Sequence, residues 1–479
     1  MRRNIATTSL LFFLLFLMPS SVFAAVRSLS LGLSGSDVRT LQNALIAKEY
    51  LAAGKATGYF GLLTESAVKK FQCAQGIVCS GTKTSGYGVY GPKTRAALSG
   101  FAGTASAGKA LEFSGWIPYW RAATGTADVT PHLSQLTSVM PFGYTVKSDG
   151  TLADTAHLTE EPWTSFIAAA KKEKVRIVPT VMWGNGTAIH RVLSNTATRI
   201  ALEDEIANMV KQNGFDGIDI DFEAKQHETI NYFSTFLKGL DMRLGNKWLY
   251  CTIEARMPLN DRFSPGASIP PDATDYANDY VQMNKYCDRV EIMAYDQGTI
   301  NVRLNAVRTA PYAPVADPGW VENLVTLAAK SISKNKIVVG VPTYGYEYEV
   351  TPLSASKYKY KLLWPFNPRY ATDIASKIGI TPSRNSAGEI GFRYNPKLLE
   401  PAPTGADATQ IQQATTASTT VAQNAGSQIS TDQPFNYISW SDAQAIADKV
   451  ALARKLGVRG VAVFKFDGGE DPGMWGVLK

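Results

Sequence analysis

The stretch Phe215-Asp216-Gly217-Ile218-Asp219-Ile220-Asp221-Phe222-Glu223 decides the reading of this chain. Alternate side chains of a strand share a face. Asp219, Asp221 and Glu223 therefore point one way, and Ile218, Ile220 and Phe222 the other. A solvated run of charge would not alternate with Ile and Phe. The pattern predicts a strand whose apolar side packs on helices and whose acidic side points into a barrel. Like charges resist sharing a site, so at least one carboxyl is expected to keep its proton toward neutral pH and act as a general acid. Glu223 comes last in the row, nearest the C-terminal rim where such barrels carry their chemistry. No metal is expected there, because no His or further acid is placed to complete a coordination shell.

Outward from that strand, short apolar runs alternate with helical patterns from Leu111 onward. Strands are expected at 112–119, 137–144, 175–182, 215–222, 248–255, 290–295, 336–342 and 460–465. Helical patterns fill the gaps, for instance at 193–213, 226–244, 318–334 and 441–456. Eight strands with helical crossovers predict an α/β fold, a parallel (β/α)8 TIM barrel over 111–479. The long interval before the last strand predicts an insertion at about 346–437. Within it, 401–433 is rich in Ala, Thr, Gln and Ser and reads as a tether. Tyr358, Tyr360, Trp364, Phe366 and Tyr370 precede the tether and either wall a cleft or form the insertion's own core.

The 479 residues begin with a targeting pattern. Arg2 and Arg3 lead a nine-residue apolar run, Leu10 to Met18, too short to span a bilayer and ended by Pro19. Val22-Phe23-Ala24 has the small-residue form of a cleavage site, so 1–24 is expected to be a signal peptide and the protein secreted. Residues 25–100 form a small N-terminal all-α three-helix module, joined by an Ala/Gly/Ser linker at 101–110. The module holds a repeat offset by 30: Gly58-Tyr59-Phe60-Gly61 with Thr64 and Ala67-Val68, and Gly88-Val89-Tyr90-Gly91 with Thr94 and Ala97-Leu98. Each copy reads as a glycine turn, a capping Thr and a short helix. Gly86 to Gly91 spells GxGxxG, but no strand precedes it, so no dinucleotide cofactor is expected. Cys73 and Cys79 lie close in sequence, and export favours a local disulfide.

Charge divides unevenly. Without Arg2 and Arg3 the chain has 46 basic and 41 acidic residues; 25–100 hold nine basic and three acidic, a surplus of six, and leave the rest at −1. A basic module on an exported chain implies attraction to an anionic surface, such as a bacterial wall. Export sets nucleic acid aside. The four His and four Cys show neither zinc-ligand spacing nor CxxC.

The acidic strand resembles the D-x-x-D-x-D-x-E signature of glycoside hydrolase family 18, with Asp216, Asp219, Asp221 and Glu223 in the four positions. Met293-Ala294-Tyr295-Asp296 is similar to the end of that family's sixth strand. Gly115 to Trp120, Gly340 to Gly345 and Gly460 to Phe464 are similar to strands one, seven and eight, and the segment Gly469-Glu470-Asp471-Pro472 with Trp475 to the barrel's close. Residues 31–98 resemble a peptidoglycan-binding-like domain. The resemblance implies retaining, substrate-assisted hydrolysis of N-acetylglucosamine glycans, with no cofactor. Glu223 would protonate the leaving oxygen while the sugar's own acetamido oxygen attacks C1. Asp221 would orient the acetamido group, and Asp219 would pair with Asp221. Tyr295 would donate to the acetamido group. Asp216, Met293, Asp296, Tyr119, Trp120, Phe142, Tyr344 and Phe464 would contact the sugar chain. The family usually has Trp where Phe464 stands, and Trp116, Trp120 or Trp183 are the residues expected to compensate. Expected partners are peptidoglycan or chitin and the cell wall, with no membrane span in the mature chain, and a monomer is the expected state. Peptidoglycan is the first reading, chitin the second, and a non-catalytic glycan-binding barrel the third.

Overall fold

The computed structural model describes residues 28–46, 48, 50–52, 54–99, 111–354, 357–399 and 433–479. The expected signal peptide, the linker 101–110 and residues 401–432 of the tether lie outside the described residues. The chain divides into two compact units, one within 1–107 and one within 108–479. Among the described residues no helix is long and apolar enough to cross a membrane.

The smaller unit contains α1 (Ser36–Ile46), α2 (Leu62–Ala74) and α3 (Pro92–Ser99). Val38, Leu41, Leu45, Phe60, Val68 and Phe71 make its core. The structure extends the repeat to two buried glutamines. Gln42 donates to Tyr59 O at 2.8 Å and to Thr64 Oγ1 at 2.9 Å, and accepts from Gly58 N at 2.7 Å. Thirty residues later, Gln72 donates to Val89 O at 3.0 Å and to Thr94 Oγ1 at 2.8 Å, and accepts from Gly88 N at 2.9 Å. Each Thr therefore serves the buried amide of the preceding helix. Gly58 and Gly88 have φ of 82° and 79°, the left-handed region that suits glycine. Cys73 and Cys79 form a disulfide.

The larger unit is a closed barrel of eight parallel strands: β1 (Glu112–Pro118), β2 (Ser138–Val146), β3 (Thr180–Trp183), β4 (Gly217–Phe222), β5 (Trp248–Glu254), β6 (Arg289–Met293), β7 (Ile337–Pro342) and β13 (Gly460–Phe464). It closes because β1 pairs with both β2 and β13. The third strand starts later than the apolar run suggests. Arg176–Ile177 pairs separately with β2, and Pro179, which has no N–H to give, separates the two segments. The helices α4 (Trp163–Lys172), α5 (Thr196–Gln212), α6 (Ile230–Leu244) and α7 (Pro318–Ala328) flank the strands. Ile218, Ile220 and Phe222 pack outward against residues such as Phe233 and Phe236 of α6. A second disulfide, Cys251–Cys287, ties β5 to the approach of β6. At the base of the barrel Glu112 accepts from Arg289 at 2.6 and 2.7 Å, from Arg459 at 2.6 Å and from Arg176 at 3.3 Å.

The insertion follows β7 directly. It is a five-stranded antiparallel sheet of β8 (Gly345–Ser354), β9 (Lys357–Phe366), β10 (Ser383–Arg384), β11 (Ile390–Tyr394) and β12 (Phe435–Trp440), with α8 (Pro368–Ile378) packed on it. Helix α9 (Ala443–Leu456) then leads to β13. The aromatic run before the tether divides its work. Tyr358 and Tyr360 pack in the insertion's core with Tyr348 and Tyr437, whereas Trp364 is largely exposed.

Candidate active site

The alternation of β4 places its three acids on the interior face at increasing height. Asp219 is fully buried, Asp221 is 2% exposed and Glu223 is partly open. Asp219 is clasped by donors from three strands. Trp116 Nε1 and Thr180 Oγ1 donate to Oδ2 at 3.1 and 2.8 Å, and Thr252 Oγ1 donates to Oδ1 at 2.8 Å. Burial still lifts its pKa. Asp221 is pushed well above the ordinary range by burial and by the charges of Glu223 and Asp219, and its Oδ1 is buried without a hydrogen-bond partner. Burial also raises Glu223, with Glu254 adding to the rise and Lys225 opposing it. A carboxyl so placed keeps its proton to higher pH, as a general acid must.

The turn after Glu223 is held by groups the sequence reading passed over. Ala224 has φ of 52°, unusual for a residue with a Cβ. Its N–H donates to Glu254 Oε1 at 2.8 Å, while Glu254 Oε2 accepts from Asn278 Nδ2 at 3.0 Å and lies 3.5 Å from Lys225 Nζ. Lys225 is buried over the Phe233 ring and also donates to Phe222 O. Burial works against the Glu254 charge, yet Lys225 and these donors hold its pKa down. A charged pair therefore braces the backbone on which Glu223 sits. A lone Lys in a helix-start pattern and a Glu at a strand end gave no sequence signal for this pairing.

Glu291 was also missed. It is fully buried in the barrel, with Thr252 Oγ1 at 3.4 Å from Oε2 and no partner for Oε1. Burial and then the Asp219 charge push its pKa well above the ordinary carboxylate range. Thr252 Oγ1 lies closer to Asp219, at 2.8 Å, and its contact with Glu291 is the longer of the two.

Across the barrel from Glu223 stand the residues from the other strand ends. Tyr295 lies against Phe464 with ring centroids 5.3 Å apart and planes 17° from parallel. Gly340 makes that approach possible, since a Cβ there would stand 2.6 Å from Ile292 O and 2.9 Å from the Tyr295 ring. Asp296 Oδ1 accepts from Tyr344 OH at 2.5 Å and Tyr346 OH at 2.7 Å. Met293 packs against the cluster formed by Tyr295, Val315 and Tyr344. Phe142 sits 6.4 Å from Phe464 and 6.2 Å from Trp120, and Tyr119 meets Trp120 edge-on at 4.9 Å. A cleft of about 510 Å³ continues from Phe464 and Asp296 past Trp120 to Phe366 of the insertion.

Two expectations need correction. Asp216 does not reach this site. It precedes β4 at the opposite end from Glu223, and its Oδ2 accepts from Ile177 N at 2.8 Å, tying the base of two strands together. Nor can Trp116 or Trp183 supply the stacking area missing at Phe464. Trp116 is 1% exposed and spends its N–H on Asp219, and Trp183 is packed against Phe222. Only Trp120 of the three, at 53% exposure, presents a free face.

Comparison with known proteins matches this arrangement to one family. Residues 115–469 match glycosyl hydrolases family 18, and residues 34–98 match a peptidoglycan binding domain. The chain belongs to glycosyl hydrolases family 18. Among relatives in this family, the uncharacterized glycosylase YvbX of Bacillus subtilis is 26% identical over 200 residues, 40% of this chain and 54% of the relative. A probable endochitinase of Caenorhabditis elegans is 27% identical over 270 residues, 51% of this chain and 41% of the relative. The chain thus spans about half the length of these relatives. The barrel fold is shared with the spore cortex-lytic enzyme SleL of Bacillus megaterium, at a TM-score of 0.54 and 19% identity over 77% of this chain and 73% of that one. A class V chitinase of Pseudomonas fluorescens gives 0.55 and 20% over 77% and 98%.

Proposed function

We propose that this protein is a secreted glycoside hydrolase that cleaves β-1,4 bonds after N-acetylglucosamine in peptidoglycan, with the sugar's acetamido group as nucleophile. The carrying observation is the graded row on β4: a clasped Asp219, a buried Asp221 with an unspent oxygen, and a partly open Glu223 of raised pKa. Glu223 gives its proton to the departing glycosidic oxygen. The acetamido oxygen closes on C1, and Asp221 accepts the acetamido N–H and stabilises the positive oxazolinium ion. Asp219 shares the Asp221 proton through the cycle, its own charge supported by three donors. Tyr295 donates its hydroxyl proton to the acetamido group, and its raised pKa keeps that proton in place. Water then opens the ring from the same face, with Glu223 as base, so configuration at C1 is retained.

The wall as target rests on the N-terminal unit, which matches a peptidoglycan binding domain and holds the chain's positive surplus. Chitin oligomers suit the same chemistry and are the second reading, supported by the likeness to chitinases. The two separate in one experiment. Full-length protein and protein lacking 25–100 are sedimented with purified sacculi and with chitin beads, and released sugars are sized by mass spectrometry. The wall reading requires module-dependent, salt-sensitive binding to sacculi and release of muropeptide-bearing fragments. Module-dependent binding to chitin alone would favour the second reading.

A further inference from the structure

The cleft beyond Phe464 contains a half-open cation held only by one long ion pair. Arg121 follows Trp120 at the end of the first strand and lines the cleft with Trp120, Asp296, Phe464 and Lys465. Its guanidinium makes no hydrogen bond among the described residues, and its nearest acid, Asp467, is 3.9 Å away with the Arg121 side chain 42% exposed. Asp467 is mostly engaged by other donors. Asp467 Oδ2 already accepts from Asn367 Nδ2 at 3.0 Å and from Lys465, and Oδ1 accepts from Gly469 N at 3.0 Å. Lys465 is committed to that acid and to Asn367 Oδ1 at 3.2 Å. Asp296, the other acid in the cleft, is taken up by two tyrosine hydroxyls. The Arg121 fork thus makes one long ion pair and no hydrogen bond among the described residues, on the wall of a sugar cleft beside an exposed indole.

A chain of N-acetylglucosamine alone carries no charge and offers this fork nothing that a smaller polar residue could not serve. The alternate sugar of peptidoglycan carries a lactyl ether that ends in a carboxylate, or in a peptide bearing carboxylates. A guanidinium fork matches a carboxylate with two parallel hydrogen bonds. We propose that Arg121 is the carboxylate-recognition residue of this cleft and selects acid-bearing glycan over neutral glycan. The sugar before the one stacked on Phe464 would present its acid to Arg121 while its ring lies on Trp120. The inference rests on the hydrolase reading above and adds the substrate chemistry of that same cleft.

The test uses the full chain and four tetrasaccharides: alternating N-acetylglucosamine and N-acetylmuramic acid with free lactyl groups, the same with stem peptides, the same with carboxyls reduced to alcohols, and neutral N-acetylglucosamine tetramer. Binding is measured by calorimetry on Glu223→Gln protein with and without Arg121→Ala. The wild-type preference for an acid-bearing over a neutral tetramer should fall roughly tenfold in the Arg121→Ala form, the scale of one charge-assisted hydrogen bond at a half-open site. Arg121→Lys should restore part of it, and added salt should weaken it. Loss with the bare lactyl sugar identifies the lactyl carboxylate, and loss only with stem peptides identifies the peptide. An equal loss on neutral and acidic tetramers, or none on either, would overturn the proposal. Turnover of the same sugars by wild-type protein is scored separately. Absence of any hydrolysis would sink the hydrolase reading, while the binding ratio still decides the role of Arg121.

Discussion

Lys225→Met should move the alkaline limb of activity upward without unfolding the protein. The Lys225 side chain is 1% exposed, pairs with Glu254 at 3.5 Å and lies 4.8 Å from the centre of the Phe233 ring. Met has a similar length and suits that apolar wall. Removing one partner of a buried pair lowers stability, so circular dichroism must show the variant folded before its pH profile is read. Glu254, whose side chain is 38% exposed, keeps its bonds from Ala224 and Asn278. What Glu223 loses is a nearby cation that lowers its pKa. Solvent on the open side of Glu223 screens part of that cation's pull, so the expected result is a direction, an alkaline limb at higher pH. The sign is fixed: a general acid works while protonated, so a higher pKa carries activity to higher pH. The assay is kcat/KM against pH on a fluorogenic N-acetylglucosamine oligosaccharide. An alkaline limb that stays in place, or shifts to lower pH in a folded variant, would refute the electrostatic reading of this turn.

Glu112→Gln should lower stability by about 3–5 kcal/mol, the cost of leaving buried partner charges uncompensated, and urea midpoints would show it. In the wild type, burial opposes the Glu112 charge, but the arginines outweigh it and hold the pKa near 2. That contribution is complete above the unfolded value and fades as pH falls from about 4.3 toward 2. Glu291→Gln has the opposite pH signature. Its folded pKa is raised, so wild-type stability declines as pH climbs past about 4.3, and the melting temperature of the variant relative to wild type should rise as pH climbs above that value. Gly340→Ala should lower kcat more than it raises KM, because the added methyl meets Ile292 O and the Tyr295 ring, and a crystal structure would show Tyr295 displaced from Phe464.

The barrel was legible because one strand alternates acid with Ile and Phe, and because apolar runs recur at the spacing of a βα repeat. The insertion was legible from a single overlong interval, whereas its sheet was not, because it pairs β8 with β12 across the tether. Boundaries slipped where one residue overrode the run, as Pro179 did before β3. The acids of β4 could be ranked by height from sequence alone. Their support could not. Trp116, Thr180 and Thr252 reach Asp219 from strands 33 to 103 residues away. The Lys225–Glu254 brace and the Cys251–Cys287 bond likewise join strands whose adjacency exists only once the barrel closes. Asp216 misled for the converse reason: it is adjacent in sequence, but a strand's length separates it from Glu223.

The central claim is that the acetamido group, not an enzyme carboxylate, attacks C1 while Glu223 supplies the proton. Proton NMR during hydrolysis of N-acetylglucosamine oligomers and of their fully de-N-acetylated counterparts, by wild-type and Glu223→Gln protein, tests it directly. The account predicts β-anomer product from the acetylated chain, no cleavage of the de-N-acetylated chain, and loss of all but about 1% or less of activity in the variant, since general acid help is worth roughly 10²–10⁴-fold. An initial α-anomer, ready cleavage of the de-N-acetylated chain, or a folded Glu223→Gln protein of near wild-type turnover would contradict it.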